Sequence, residues 1–519
     1  MQFSTLDFIV FFGYVFIVLF LGIFIANRKG TDDTDGYFLA SKSLPWWAIG
    51  TSLIAANISA EQMMGMSGSG FAIGLAIASY EWMAALTLIL VAKFMIPIFL
   101  NKGVHSMPHF LGMRYDGRVR SILAVFWLLV YIFVNLASIL YLGAAAMDTI
   151  LDVPLTYGII GLAVFAAIYT VYGGLKAVAW TDVIQVTFLI LGGLLTTYLA
   201  LNAFSGGQGM IAGFMDLFNE APGHFEMILD SDHEFYYELP GLGVLIGGLW
   251  VANISYWGCN QYIIQRALGA KSIKEAQNGL MFAGYLKLLM PLIVVVPGIA
   301  AYGFGADLAR PDDAYPWLLG EFVPAGLRGI AFAALIAAIA SSLASMTNST
   351  STIFTMDVYK VHFSKGASEQ HLVLVGRIVS FLALFIGVLV APQIENFGQA
   401  FQFIQEFTGF ISPGVVAIFL LGLFWKGATA TAARWAAILT LPLSFGFRAA
   451  FPELAFLDRM GIVFLILAAV MIIISLLESK GKDPNAIEYR RNWFHTGTTF
   501  NIGSIGICAI LAVLYILFW

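Results

Sequence analysis

Long, uncharged apolar runs recur along most of this chain, and short segments between them hold nearly all of its charges. The first run, Phe8 to Ala26, contains no charged residue. A helix needs ~20 apolar residues to cross the hydrocarbon core of a bilayer, whereas a membrane β-barrel shows alternating segments of ~10 residues. The pattern predicts fourteen transmembrane helices, near residues 8–26, 47–70, 75–101, 121–149, 155–172, 180–202, 241–265, 277–303, 327–355, 371–391, 396–425, 429–447, 461–477 and 499–518.

Composition supports the same class of protein. Of 519 residues, 60% are hydrophobic and 11% are charged, and the mean hydropathy is +0.86. A soluble domain carries roughly 25% charged residues, so a soluble globular fold, a disordered chain and a basic nucleic-acid-binding surface are all excluded. Cys259 and Cys508 both lie in apolar runs, which argues against a disulfide framework. We therefore expect an all-α polytopic membrane protein.

The basic residues predict the orientation of the chain. With the N-terminus outside, twenty of the 26 Lys and Arg residues fall in loops that would be cytoplasmic, and four fall in external loops. The predicted external loop 203–240 holds seven acidic residues and no basic one. Because cytoplasmic loops carry the excess of Lys and Arg, we predict that both termini face away from the cytoplasm. The expected location is the plasma membrane, which in a bacterium is the inner membrane.

A short sequence recurs in two of the predicted helices. Ala56-Asn57-Ile58-Ser59 in the second span returns as residues 252–255 in the seventh. The two spans are five apart and therefore cross in opposite directions, as in an inverted repeat of five helices, although a four-residue match can also arise by chance. Small, polar and glycine residues surround both copies, which predicts discontinuous helices there. The expected organisation is a first helix and loop (1–46), repeat one (47–202), an acidic external loop (203–240), repeat two (241–425) and three further helices (426–519).

Few ionisable residues lie within the predicted spans. A charge at membrane depth is costly and marks a functional candidate; those here are Glu61, Glu81, Asp182, Lys287 and Glu406. Glu81 and Lys287 have opposite charges, so they could pair across a binding cavity or form a purely structural ion pair. No P-loop and no set of paired catalytic groups is present, so we predict neither an ATP-driven pump nor an enzyme.

The polar residues within the spans suit a neutral ligand. They offer many hydrogen-bond donors and acceptors and little net charge, which fits a polyhydroxylated solute better than a zwitterion; they are Asn57, Gln62, Glu81, Asn253, Lys287 and Gln405. Tyr256 and Phe401 could stack on a sugar ring or simply pack.

The ninth predicted span carries hydroxyl groups among small residues. Its Ser341 and Ser342 could allow close helix packing. They could equally supply oxygens to a hard cation, with carbonyl groups freed at the break near Ala55 and Ile58 completing the shell. Sodium fits such a shell better than calcium, because no carboxylate matches a divalent charge.

A motif identifies the family that the chain resembles. The turn Tyr172-Gly173-Gly174-Leu175, followed by Trp180-Thr181-Asp182, resembles the signature of the sodium/solute symporter family, and the similarity covers almost the whole chain. The resemblance is strongest to the branch of bacterial sodium/galactose symporters and animal sodium/glucose cotransporters. It implies fourteen helices around a five-plus-five inverted repeat, like that of amino-acid/sodium symporters.

The resemblance also implies roles for individual residues. The sugar would contact Gln62, Glu81, Asn253, Lys287 and Gln405, with Asn57 close by. Tyr256 would be the inner gate, and Met66 and Phe401 would cover the sugar on the outer side. The sodium ligands would be the backbone carbonyls of Ala55, Ile58 and Ala338 and the side chains of Ser341 and Ser342. Asp182 would lie on the sodium exit path.

Two positions depart from the galactose symporter pattern. Ala84 stands where that pattern has a serine, so one hydroxyl contact to the sugar is lost and the preferred epimer is open. Ser255 stands where the pattern has a tyrosine beside the inner gate.

We therefore expect sodium-coupled symport of a neutral monosaccharide, galactose or possibly glucose, into the cell by alternating access. The alternatives are a sodium symporter for another small solute, such as an amino acid, a vitamin or sialic acid, and an uncoupled sensor or channel. The expected partners are the sugar, the sodium ion and the lipid bilayer. No nucleic acid and no obligate protein partner is expected.

Overall fold

A computed structural model describes residues 4–26, 34–59, 61–397, 400–478 and 483–519. It describes their side chains except at 26, 35, 61, 169, 172, 173, 395–397 and 400–403. Within these residues most of the chain is helical and no β-strand occurs. This confirms the predicted all-α class.

The first half of the chain forms six main helices. They are α1 (Thr5–Ala26), α2 (Trp46–Asn57), α3 (Ser67–Ala72), α4 (Leu75–Asn101), α5 (Gly117–Leu151) and α6 (Leu155–Phe204). Shorter helical segments cover Thr34–Leu39, Ala40–Lys42, Glu61–Met66, Met107–Arg114, Met210–Glu220 and Pro222–Phe225.

The second half forms nine main helices. They are α7 (Gly248–Ile254), α8 (Gln261–Leu268), α9 (Ile273–Gly303), α10 (Arg328–His362), α11 (Glu369–Val390), α12 (Ala400–Phe424), α13 (Ala430–Ala450), α14 (Phe456–Glu478) and α15 (Thr498–Leu517). Shorter segments cover Leu242–Ile246, Ser255–Cys259, Pro311–Asp313, Ala314–Glu321, Ala391–Phe397 and Arg491–Phe494.

Ten helices in the described part of the chain are long and apolar enough to cross a membrane. The chain is therefore a multi-pass membrane protein. Two other predicted spans, the second and the seventh, are interrupted. The fifth forms the part of α6 that precedes the non-helical residue Gly174. The predicted span 429–447 forms α13, which carries Arg434 and Arg448 near its two ends.

Helix α10 forms the centre of the molecule. In its most apolar window 94% of the residues are buried inside the protein, against 22% for α1 and 17% for α15, so α10 is enclosed by other helices while α1 and α15 are peripheral. Its alanine- and serine-rich sequence explains this position, because small side chains let neighbouring helices approach closely. At Gly192 of α6, an added Cβ would lie 2.6 Å from the Cβ of Ala334, which leaves no room for a side chain there.

Both predicted discontinuous helices are broken, but at different places relative to the repeated residues. Helix α2 ends at Asn57, and Ile58 has extended backbone angles (φ −80°, ψ 113°). In the second copy the helix continues through Asn253 and Ser255, and the extended residue is Asn260 (φ −87°, ψ 125°). The repeated sequence therefore locates the first break correctly and the second one six residues too early.

The turn predicted between the fifth and sixth spans corresponds to a sharp kink inside α6, where two helical segments meet. It is produced by Gly174, whose backbone angles (φ 54°, ψ −158°) are open to glycine and strained for other residues. A Cβ at this position would lie 2.4 Å from the Tyr37 carbonyl oxygen, so the close approach also requires glycine.

Two arginines counted as cytoplasmic loop residues are fully buried. Arg266 lies inside α8 and forms an ion pair with Asp182, with 3.7 Å between Nη2 and Oδ2. Arg114 donates to the carbonyl oxygens of Gly422 (2.8 Å) and Ala428 (2.8 Å), at the end of α12. Several acceptors thus offset the burial cost of each guanidinium. The sequence does not reveal these partners, because it shows only that each arginine lies in a short polar segment.

Candidate functional site

The residues predicted to bind sugar lie around one internal cavity of about 110 Å³. This volume far exceeds the ~10–15 Å³ that a single water molecule needs. The cavity lies between the break after α2, α4, α5, the Ser255–Cys259 segment, α9 and α12. The structure brings together all seven predicted sugar-site residues, Asn57, Gln62, Glu81, Asn253, Tyr256, Lys287 and Gln405, which come from both halves of the sequence.

Lys287 joins two predicted sugar ligands. Its ammonium group forms an ion pair with the Glu81 carboxylate and donates a hydrogen bond to Asn57 Oδ1. It also lies 5.0 Å from the centroid of the Trp257 ring, a cation–π distance. Lys287 is 1% and Glu81 is 4% exposed, so the pairing predicted from their opposite charges is confirmed, and each charge offsets the burial cost of the other.

Two amide side chains of the cavity are oriented by local hydrogen bonds. Gln62 Oε1 accepts from the amide and the hydroxyl of Ser59, each at 3.0 Å, and so bridges the break after α2. Asn253 Nδ2 donates to the Leu249 carbonyl, one turn earlier, at 3.1 Å. These bonds fix the orientation of both amides toward the cavity that they line.

Tyr256, the predicted inner gate, is tied to both broken helices. Its hydroxyl oxygen accepts a hydrogen bond from Asn57 Nδ2 at 2.9 Å and another from the Tyr262 hydroxyl. The Tyr256 ring also meets the Tyr262 ring edge-on, with 5.6 Å between centroids. A movement of either broken helix would therefore shift the Tyr256 side chain or break one of its hydrogen bonds.

Of the two predicted outer cover residues, Met66 lines the cavity. The Phe401 side chain lies outside the part of the chain whose side chains are described, as does that of Glu61. Glu406 does not line the cavity; its carboxylate meets the Arg448 guanidinium of α13, with 3.1 Å between Oε1 and Nε.

Two of the predicted sodium ligands, Ser342 and Ile58, meet where α10 passes the break after α2. The Ser342 hydroxyl oxygen lies 3.1 Å from the Ala56 carbonyl oxygen and 3.4 Å from that of Ile58. The Ser59 amide, the usual i+4 donor to the Ala55 carbonyl, donates to Gln62. Ala55, Ile58, Ala338, Ser341 and Ser342 are all buried, at most 1% exposed. The oxygens of Ser342, Ala56 and Ile58 that lie close together are neutral, and neutral oxygens suit a monovalent hard cation.

Asp182, predicted on the sodium exit path, directly contacts one of the predicted sodium ligands. Its carboxylate accepts hydrogen bonds from the hydroxyls of Ser341 (2.6 Å) and Ser52 (2.5 Å). The ion pair with Arg266 lies on the same carboxylate. The predicted cation site and this buried ion pair therefore form one connected network.

Sequence reasoning missed several members of that network. Arg266 and Tyr262 follow the second break and resemble ordinary residues at a helix end, and Ser52 is one hydroxyl in an apolar run. Ala56 joins the predicted sodium region through its carbonyl, which no side-chain pattern can identify. The spacing of Tyr262 and Arg266, one helical turn apart, is the one signal that could have indicated a shared face.

Comparisons with known proteins show which family the chain resembles. Residues 37–440 match the sodium:solute symporter family. A sodium/glucose cotransporter of Vibrio parahaemolyticus is 52% identical over 99% of this chain and 98% of that protein. A sodium/myo-inositol cotransporter 2 of Oryctolagus cuniculus is 35% identical over 83% of this chain and 68% of the relative. Sodium/glucose cotransporter 1 of Ovis aries is 32% identical over 82% and 69%.

The fold is also similar to that of solved transporters. A sodium-coupled sialic acid symporter superimposes with a TM-score of 0.82 at 24% identity, covering 93% of this chain and all of that one. A nucleobase-cation-symport-1 family transporter gives a TM-score of 0.56 at 14% identity. The family is one of sodium-coupled transporters rather than enzymes, and its match covers most of the chain. This chain belongs to the sodium:solute symporter family.

Proposed function

We propose that this protein transports a neutral monosaccharide, galactose or glucose, into the cell together with sodium. The observation that carries the proposal is the convergence of the predicted polar ligands on one cavity, beside the contact between Ser342 and the broken α2. The 52% identity to a sodium/glucose cotransporter over the full chain supports the same class of substrate.

The cavity chemistry favours a sugar over a charged solute. The Lys287–Glu81 pair carries no net charge, and the other polar ligands are amides and a phenol. Sugar hydroxyls both donate and accept hydrogen bonds, so each can bond with an amide, the carboxylate or the ammonium group. A zwitterionic amino acid would have to compete with the existing ion pair. The apolar Ala84 also lines the cavity, so it offers no hydroxyl for selecting between epimers.

Sodium would prepare this site and supply the energy for transport. Bound between the α2 break and α10, the ion would hold these two elements together, and its release would follow their separation. Inward movement of one positive charge gains ~2.3 kcal/mol per 100 mV. Since ~1.4 kcal/mol corresponds to a tenfold concentration ratio, one sodium ion can drive more than tenfold sugar accumulation.

We further infer fourteen crossings with both termini outside the cytoplasm. The broken segments 46–72 and 242–268, the part of α6 before Gly174 and α13 would join the ten long apolar helices as the remaining crossings. Residues 47–202 and 241–425 would then form the two inverted repeats. The similarity to the sialic acid symporter fold supports this arrangement.

Uptake into proteoliposomes tests the function. We expect labelled galactose or glucose to accumulate against its gradient when sodium is imposed outside, and accumulation to be lost when choline replaces sodium. Uptake that is unchanged in choline would overturn sodium coupling. Competition by unlabelled galactose, glucose, myo-inositol, sialic acid and an amino acid would identify the substrate class, and inhibition by the amino acid alone would overturn the sugar assignment.

A further inference from the structure

A continuous series of hydrogen bonds connects the inner gate with the sodium region. At the gate, the Tyr262 hydroxyl donates to the hydroxyl oxygen of Tyr256. The same Tyr256 oxygen accepts from Asn57, which in turn accepts from Lys287 of the sugar site. Tyr262 therefore contacts the Tyr256 gate directly, and two hydrogen bonds separate it from Asn57, another residue of the predicted sugar site.

The other end of the series is a buried guanidinium. Arg266 donates to the backbone carbonyl of Tyr262 and to the Ser345 hydroxyl of α10, and its Nε lies 3.2 Å from Ser52 Oγ. Arg266 also pairs with Asp182, which accepts from Ser341 at 2.6 Å. Ser341 precedes Ser342, whose hydroxyl reaches the broken α2.

Tyr262 and Arg266 are positioned by the same short helix. Helix α8 begins directly after the break at Asn260, and both residues are almost entirely buried, at 3% and 0% exposure. The Tyr262 amide donates to the Tyr131 hydroxyl of α5 at 3.4 Å, and the two rings meet edge-on at 5.8 Å. Because residues four apart share one helix face, a shift of Arg266 carries the Tyr262 side chain with it.

We propose that Tyr262 is the positioning residue that couples sodium occupancy to the inner gate. Sodium at Ser341 and Ser342 would hold the Asp182–Arg266 pair in place, and this pair would hold α8 in position. The Tyr262 hydroxyl would then stay hydrogen-bonded to Tyr256 while sugar is bound. The inference rests on the proposed sodium–sugar symport. Tyr262 also lines the cavity, but the proposed role acts through Tyr256 and not through a contact with either substrate.

Tyr262→Phe tests the proposal because it removes one hydroxyl and keeps the ring. The coupling factor is the ratio of the sugar Kd without sodium to the sugar Kd with saturating sodium, measured on purified protein; by linkage, sugar must change the sodium Kd by the same factor. We expect Tyr262→Phe to reduce this factor by up to about tenfold, the worth of one hydrogen bond. The sodium-free sugar Kd should stay within about twofold of the wild-type value.

The matched control is Tyr285→Phe, which removes a hydroxyl bonded to the Gly503 carbonyl of α15 at 2.9 Å, outside the network. It should keep the wild-type coupling factor. If Tyr262→Phe changes both sugar Kd values equally and preserves the factor, Tyr262 only packs and the inference is overturned. If the wild-type protein itself binds sugar without any effect of sodium, the proposed function fails instead.

A double-mutant cycle tests the link from the gate side. Tyr256→Phe removes the acceptor of the Tyr262 hydroxyl, so adding Tyr262→Phe to it should cause no further loss of coupling. Independent, additive losses from the two variants would contradict a role of this hydroxyl pair. If Tyr262→Phe is poorly stable, the Tyr256→Phe variant alone still tests the link, because it must lower the coupling factor.

Discussion

Two buried ion pairs lie on the path between the sugar cavity and the sodium region, Lys287–Glu81 and Arg266–Asp182. A buried charge that loses its partner costs ~3–5 kcal/mol, so neither pair can be separated without a replacement partner. At the sugar site the ligand hydroxyls can provide such a partner. At Asp182, the Ser341 and Ser52 hydroxyls already share the carboxylate with Arg266, which allows small rearrangements without exposing a bare charge.

Ser342 makes the clearest single-residue prediction. Replacing Ser342 by Ala removes the hydroxyl oxygen that lies 3.1 Å from the Ala56 carbonyl and 3.4 Å from that of Ile58. A hydrogen-bonding group that interacts with an ion is worth ~1.5–3 kcal/mol, so the half-saturating sodium concentration should rise at least about tenfold. The order of preference among sugars should not change. Sodium titration of sugar uptake, repeated with several hexoses, measures both quantities.

Ser351→Ala is the matched control for this variant. Ser351 lies on the same helix, α10, and its hydroxyl also donates to a backbone carbonyl, that of Gly376 at 2.7 Å. Its removal should lower stability without changing the sodium dependence. Equal shifts of the sodium response in both variants would show that Ser342 acts through helix packing and not as a sodium ligand.

At the scale of helices, the two broken elements differ in how well their sequence predicts them. Helix α2 stops at Asn57, and the Ser59–Gln62 hydrogen bonds replace backbone bonds at the break, so polar residues mark the place. The second break falls at Asn260, whose side chain accepts from the Tyr131 hydroxyl of another helix. Tertiary contacts stabilise this break, and a repeated four-residue pattern cannot report them.

Helix α10, which carries the predicted sodium ligands, is capped by a side chain from α1. Asp7 is fully buried and accepts from the amides of Gly326 (3.0 Å) and Gly329 (2.7 Å) at the start of α10. Removing such a cap costs ~0.5–2 kcal/mol, because the first amides of a helix then lack acceptors. Asp7→Ala should therefore lower the thermal unfolding temperature of the purified protein, and Asp7→Asn, which keeps one acceptor oxygen, should lower it less.

Asp216→Ala provides the comparison for the cap, since Asp216 is an exposed carboxylate on the helix Met210–Glu220. It should leave the unfolding temperature unchanged. If Asp7→Ala unfolds at the wild-type temperature, Asp7 contributes nothing to holding α10.

For the molecule as a whole, hydropathy and the few intramembrane charges were enough to predict the membrane class, the polar cavity residues and the Lys287–Glu81 pair. Lys287 was identifiable because it stands alone in a long apolar run. Arg266 and Arg114 were not, since Arg266 lies just past the end of such a run and Arg114 lies in the polar segment between two runs, where an exposed and a buried arginine look the same in sequence. The turn that contains Gly174 was recognisable from its paired glycines, and the kink lies within it.

Contacts between distant segments indicate which ends of the molecule share a side. The 203–240 segment packs against the C-terminal end, where the Met227 amide donates to the Phe518 carbonyl at 2.8 Å. A separate contact joins two other segments, where the Asp483 amide donates to the Lys426 carbonyl at 2.9 Å, beside the buried Arg114. The acidic segment and the C-terminus therefore lie together, as expected if both are on the non-cytoplasmic side.

Cysteine labelling tests the orientation of the whole protein. In a background that lacks Cys259 and Cys508, single cysteines replace Gln208, Trp519 or Lys365, all of them exposed. A membrane-impermeant maleimide should label Gln208→Cys and Trp519→Cys in intact cells, because the few basic residues near both predict the non-cytoplasmic side. Lys365→Cys, in the basic segment after α10, should react only after the membrane is permeabilised. The reverse pattern would invert the topology, and labelling of Gln208→Cys without Trp519→Cys would contradict the contact between Met227 and Phe518.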